Sequence, residues 1–360
     1  MAVLPSGALQ TALEAALQPS RMKGIAAAVA RRGEPARVVF LGTDARGRPL
    51  AGDSLFPVAS VTKLSTALAV HRLVEVGSLA LDDPLARHLP EAVAAAHPDV
   101  TLRRLLSHTA GLPLDVPEEM AAYASGLGWR TLAEACLRTP LERPPFNRVR
   151  YSNVGYGLLA VVVERKTGRD FPAALRTLVL EPLGIEGYLG DEPSRSPVAL
   201  AGVRGTHART PLEPFNSPFW RSLALPWAGL LTTPEGALSL VRAFLEPPAS
   251  FLRPETVAEA TQNQVDGLGG GFVKPLIWDY SPWGLGPELR DRKTPHWAPA
   301  PPVVSPESFG HSGASGCLAW ADPSTGVAWT LLGTRTADSG WLLRRGPTLS
   351  EAILRSVANP

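Results

Sequence analysis

The chain reads as an α/β (α+β) protein, with an antiparallel sheet flanked by terminal helices and an all-helical region inserted into it. Three observations carry that expectation. Strand-like runs bounded by turn residues sit near the two ends, at 25–30, 38–41, 317–320 and 327–332. From Pro57 to about residue 185 the texture is instead helical, broken by Pro/Gly loops. Amphipathic helical spacing recurs at both extremities, in 8–18 (Leu9, Ala12, Leu13, Ala16, Leu17) and in the last segment (Leu349, Ile353, Leu354, Val357). The expected division is 1–56 as the first part of the sheet domain, 57–225 as the helical insert and 226–360 as the second part of the sheet domain.

Taken in order, the first helix ends at Pro19 and a hairpin follows around Gly33-Glu34-Pro35. Residues 64–76 are almost uncharged and apolar on nearly every face, which describes a buried helix, and Gly77 supplies its stop. Short helices are expected at 101–106 and 132–137, and a longer one over 154–166 with Gly168 just past its end. Residues 187–227 and 264–308 are rich in Pro, Gly and aromatics and read as long irregular loops, with a helix at 237–245 between them. Two strands then flank the turn Asp322-Pro323-Ser324-Thr325-Gly326.

Composition excludes several classes. The 360 residues carry 45% apolar and 19% charged side chains with a net charge of +2, a globular balance that offers nothing to nucleic acid. No apolar run approaches the roughly 18 residues a membrane span needs. Residues 1–8 show no secretory pattern, so a cytoplasmic location is expected. The two cysteines and seven histidines lack metal-ligand spacing, so neither a metal nor another cofactor is expected, and the oligomeric state stays open.

Three short constellations could carry chemistry. Ser60 stands at the start of the buried helix, and Lys63 lies one turn later on the same face. Lysine is seldom buried unless paired, and burial drives it toward the neutral amine. A neutral amine beside a hydroxyl at a positive helix end can accept that hydroxyl's proton. The same spelling at Ser20 and Lys23 runs straight into Gly24 and an extended segment, where no helix carries it. Tyr151-Ser152-Asn153 lies where a loop enters the 154–166 helix, a place that also suits ordinary capping. His311-Ser312-Gly313 lies just before a strand, at a strand edge, among Gly310, Gly313 and Gly316.

Together, and in this order, the three resemble the signatures of the serine β-lactamase and penicillin-binding-protein family. The flanks 55–63, 105–112, 227–234 and 309–316 resemble its class C β-lactamase-like branch, which includes family VIII esterases and D-aminopeptidases. The resemblance spans about residues 8 to 355 and implies the β-lactamase/transpeptidase-like fold. Two competing spellings fall away. Lys166-Thr167-Gly168 reads as a helix end, where lysine and glycine are ordinary capping. Gly310-His311-Ser312-Gly313-Ala314 nearly spells the nucleophile elbow of α/β-hydrolases, but no histidine follows residue 311 to serve Ser312.

The resemblance implies a serine hydrolase working through an acyl-enzyme on a small-molecule ester or amide. Ser60 would be the nucleophile, with Lys63 and Tyr151 sharing base and relay duty in an unassigned division. Asn153 would hold Lys63 and the substrate, and the backbone N–H groups of Ser60 and Ala314 would form the oxyanion hole, with Ala314 on the strand after Gly313. His311, Ser312 and Gly313 would bind substrate. Many relatives carry lysine at position 311, and a mostly neutral histidine there favours esters, or amides without an obligatory carboxylate. The alternatives are a D-amino-acid peptidase or amidase, a weak β-lactamase, or a non-catalytic binding protein.

Overall fold

The computed structural model describes residues 6–17 and 22–358. In chain order, α1 (Ser6–Leu17) precedes the hairpin β1 (Gly24–Arg31) and β2 (Arg37–Gly42), and β3 (Phe56–Pro57) leads to α2 (Thr62–Glu75). The helices α3 (Leu102–Leu106) and α4 (Trp129–Arg138) follow, then β4 (Val149–Arg150), α5 (Asn153–Thr167), α6 (Phe171–Leu175) and β5 (Gly187–Tyr188). Next come α7 (Pro218–Ser222), β6 (Leu231–Thr232), α8 (Pro234–Arg242), α9 (Pro254–Thr261), and the short strands β7 (Gly270–Gly271), β8 (Ile277–Trp278) and β9 (Glu288–Leu289). The chain closes with β10 (Phe309–Gly313), β11 (Cys317–Asp322), β12 (Val327–Gly333) and α10 (Trp341–Ala358).

The main sheet is antiparallel in the order β2-β1-β12-β11-β10-β9, so strands from the two ends of the chain meet at the β1–β12 pair, with Val29 opposite Trp329. Alternation along β1 sorts its side chains between two cores. Ile25, Ala27 and Val29 face an outer layer made by Leu9 and Leu13 of α1 and by Leu349, Ile353 and Val357 of α10. Ala26, Ala28 and Ala30 face an inner layer, where their small size lets helices lie close to the sheet. That inner cluster continues through α2, α5 and α8.

α2 is buried along most of its length, as its sequence requires, and several of its polar groups are bonded inside the protein. Thr62 Oγ1 accepts from the Leu230 amide at 3.1 Å, and His71 Nε2 lies 2.8 Å from the Leu285 carbonyl. Gly77 ends the segment at φ +69°.

Several expectations shift in detail. Ser60 lies in a 3-10 turn over Ala59–Val61, and the α-helix proper begins at Thr62. The left-handed backbone of Ala59 (φ +43°) keeps the helix from starting earlier. The loop-rich 187–227 region contains β5 and the Ser217-capped α7, and 264–308 contains three two-residue strands. The final helix begins at Trp341, ahead of the apolar periodicity, and carries Pro347 within it. His311-Ser312-Gly313 forms the end of β10 itself, and Ala314 belongs to the following turn, not to a strand.

Candidate active site

The turn that presents Ser60 is pinned from both sides. The Val58 amide donates to the Leu230 carbonyl at 3.0 Å, and the Val61 amide donates back to the Val58 carbonyl at 3.1 Å. Between them, Ala59 occupies a backbone region that L-residues seldom adopt, a strain that persists only where the surroundings impose it. Ser60 is half-buried, while Lys63, in the first turn of α2, is fully enclosed.

Lys63 Nζ donates to Asn153 Oδ1 at 2.6 Å and to the Trp227 carbonyl at 3.1 Å, and lies 3.5 Å from Ser60 Oγ. A neutral amine has two N–H bonds and one lone pair. Two acceptors therefore consume its hydrogens and leave the lone pair to the Ser60 hydroxyl. Burial holds the Lys63 pKa well below the usual lysine range, against the opposing charge of Asp115.

Tyr151 follows β4, where its amide donates to the Gly271 carbonyl at 3.0 Å. Its ring is boxed by His108 (centroids 4.4 Å apart) and Phe272 (4.3 Å), and Lys63 Nζ lies 4.6 Å from its centroid. Burial pushes the phenol well above its ordinary pKa, opposed by a hydrogen bond with Ser60, so it keeps its proton at neutral pH. The phenol oxygen is 3.5 Å from His311 Nε2. On the other side of that imidazole, Nδ1 is 2.6 Å from the Ser312 carbonyl, which can only accept. Nδ1 thus carries the hydrogen and Nε2 turns its lone pair toward Tyr151. Burial, with the nearby Lys63 adding to it, lowers the His311 pKa to about 4, so the ring is neutral at pH 7.

Asn153 is placed by capping. Ser152 is the N-cap of α5, its Oγ accepting from the Gly155 amide at 3.1 Å and donating to the Pro113 carbonyl at 2.6 Å. The Ser152 amide is held by His108 Nδ1 at 3.1 Å. The Asn153 amide group spans two partners, accepting from Lys63 and donating to Asp115 Oδ1 at 2.5 Å.

β9 pairs with β10 only at Phe309 and Gly310, so the outer edge of His311–Gly313 has no ladder partner among the described residues. A Cβ on Gly310 would lie 2.2 Å from the Ala319 carbonyl oxygen, and one on Gly313 would lie 2.5 Å from that of Val58. Gly310 is required by the neighbouring strand β11, and Gly313 because the Ser60 turn packs directly on β10.

Ser60, Lys63, Tyr151, Asn153 and His311 thus form one connected cluster, with Ser312, Gly313 and the exposed Ala314 along its margin. The competing spellings lie elsewhere. Lys166 is in the last turn of α5 and Gly168 is its left-handed cap, while Ser20 falls outside the described residues. Three contributors carried no sequence signal: Asp115 is a lone loop carboxylate, Trp227 acts through its backbone, and Cys317 touches the Val58 carbonyl across 259 residues.

A sheet domain with Ser60, Lys63 and Tyr151 gathered at a strand edge holds the groups that serine acyl transfer requires. A family model described as Beta-lactamase matches residues 9–344, and the chain belongs to that family. It is 32% identical over 378 residues to Esterase EstB of Burkholderia gladioli, covering 92% of this chain and 91% of that protein. It is 28% identical to a β-lactamase from Mycobacterium bovis of known structure, with a TM-score of 0.66 over 95% of this chain and 98% of that one. The D-amino acid amidase of Ochrobactrum anthropi superposes with a TM-score of 0.76 over 98% of each chain at 22% identity, a likeness of fold. The protein is a serine hydrolase. No helix among the described residues is long and apolar enough to cross a membrane.

Proposed function

We propose that the protein hydrolyses small carboxylic esters through an acyl-enzyme on Ser60. Lys63 removes the Ser60 proton as the oxygen bonds to the substrate carbonyl carbon. The carbonyl π pair moves onto its oxygen, which the Ser60 and Ala314 amides receive. The tetrahedral adduct then collapses, the bond to the leaving alcohol breaks, and the proton from Lys63 reaches that alcohol through Tyr151. Water repeats the sequence on the acyl group and restores Ser60.

The observation that carries this reading is the hydrogen-bond set of Lys63: two fixed acceptors and one remaining direction, toward Ser60. It supports the amine as the group that removes the proton. Tyr151, whose proton burial retains, serves as relay. Each oxyanion donor is worth about 2.7–4 kcal/mol of transition-state stabilisation by analogy with other serine hydrolases.

Esters are favoured over β-lactams because the third motif offers His311, a neutral imidazole, where a substrate carboxylate would need a cation. The relation to Esterase EstB supports the same choice. Turnover of a short-chain p-nitrophenyl ester, a chromogenic cephalosporin and D-alanyl p-nitroanilide by the wild type and by Ser60→Ala tests it. The ester should be the best substrate and Ser60→Ala inactive on all three. Preference for the anilide would move the reading to a D-amino-acid amidase with the same residues, and preference for the cephalosporin to a β-lactamase.

A further inference from the structure

Cys317 opens β11 opposite Gly313 and is almost fully buried. Its Sγ lies 2.9 Å from the Val58 carbonyl oxygen and 3.3 Å from Ser315 Oγ. Burial pushes the thiol up to about 12, so it keeps its hydrogen and can donate to that carbonyl. The position a Cβ on Gly313 would take is 2.5 Å from Val58 O, 2.6 Å from Cys317 Sγ and 3.1 Å from the Ala59 Cβ. The carbonyl, the thiol and the glycine therefore converge where the Ser60 turn meets the turn that begins at Ala314.

Those two turns carry the two amides of the proposed oxyanion hole, and they come from opposite ends of the chain. The Ser60 turn is strained at Ala59, and strain of this kind persists only where neighbours hold it. The Val61 amide holds the Val58 carbonyl from within the turn, and Cys317 is the donor that reaches it from the sheet. A packing-only cysteine would need no carbonyl in line with its sulfur.

We propose that Cys317 is a positioning residue whose thiol ties the Ser60 turn to the Gly313–Ala314 turn and so sets the spacing of the two oxyanion donors. The inference rests on the serine-hydrolase mechanism above. Displacements well under 1 Å at such donors would suffice, since a misplacement of about 1 Å can cost on the order of 100-fold in rate.

The test compares Cys317→Ser, which keeps a donor, with Cys317→Val, which fills the space without one, and with Cys317→Ala. For each, kcat and KM on p-nitrophenyl acetate, the rate of Ser60 labelling by a p-nitrophenyl phosphonate and the Tm are measured. Ile353→Ala, a core truncation on the far face of the sheet, serves as the destabilised control. Val and Ala should lower kcat and the labelling rate on the order of tenfold with KM within about twofold, and Ser should recover to within about threefold. Wild-type kcat in Cys317→Val, or Cys317→Ser no faster than Cys317→Val, overturns the proposal, as does an equal kcat loss in Ile353→Ala. A wild type labelled elsewhere than Ser60 overturns the parent mechanism as well, which separates the two failures.

Discussion

Lys63 is enclosed by Asn153, the Trp227 carbonyl and two tyrosine rings, an environment that hides its charge from water. Its depressed pKa fixes the sign of the pH dependence. Below that pKa the ammonium has no lone pair for Ser60, so kcat/KM should climb as pH rises through it and then level off. No falling limb is expected below pH 10, because burial keeps Tyr151 protonated beyond its ordinary range. A fall in activity between pH 7 and 9 would instead point to a phenol that must stay protonated but loses its proton early. Asn153→Ala removes one of the two acceptors that aim the lone pair, and kcat should fall about 100-fold with a smaller change in KM. Steady-state kinetics across pH on both proteins checks this. Ser60, Lys63, Tyr151 and Asn153 were legible because their spacing within a turn is itself chemical information. Asp115 and Cys317 were not, since their contacts span 38 and 259 residues and leave no local pattern.

Among the elements, those with strong periodicity matched their sequence patterns closely. α5 stops at Gly168, and β1, β11 and β12 extend the apolar runs by a residue or two. The two-residue strands β4, β7 and β8 were not legible, because two residues show no period and the β4–β7 pairing joins positions 121 apart. The sequence placed His311–Gly313 at a strand edge but just ahead of a strand, whereas it forms the end of β10. Glycine is a poor strand former, and the small size of Gly313 is needed against the Ser60 turn. Gly313→Ala should therefore cripple kcat by 10-fold or more, about 1.4 kcal/mol, since its Cβ meets backbone that cannot yield without moving Ser60. On the opposite face, Ile353 of α10 is fully buried in the outer core. Ile353→Ala should cost about 2–5 kcal/mol in chemical denaturation while leaving kcat unchanged at 25 °C. A matching kcat loss would mean that the outer layer reaches the site.

For the whole molecule, the fold keeps several histidines uncharged. Burial lowers His296 and His311 to about 4 and also lowers His71 and His108 below the ordinary 6.5. Between pH 6.5 and 4 the unfolded chain therefore binds more protons than the native one. Their contribution to stability is complete above pH 6.5 and lost progressively as pH falls through that window, on the order of 1–3 kcal/mol for each of the two lowest. Tm should fall steadily from pH 7 to pH 4, and His311→Asn should flatten that slope. An unchanged slope would mean that His311 is as solvated in the folded protein as in the unfolded chain.

The central claim is that Ser60, activated by Lys63, is the residue that becomes acylated. Its most direct test is to incubate the protein with an ester-like phosphonate, weigh the intact adduct and map the modified peptide. One adduct per chain on Ser60, absent in Ser60→Ala together with ester turnover, is the expected result. An adduct on Ser312, or ester turnover that survives Ser60→Ala, would contradict the account.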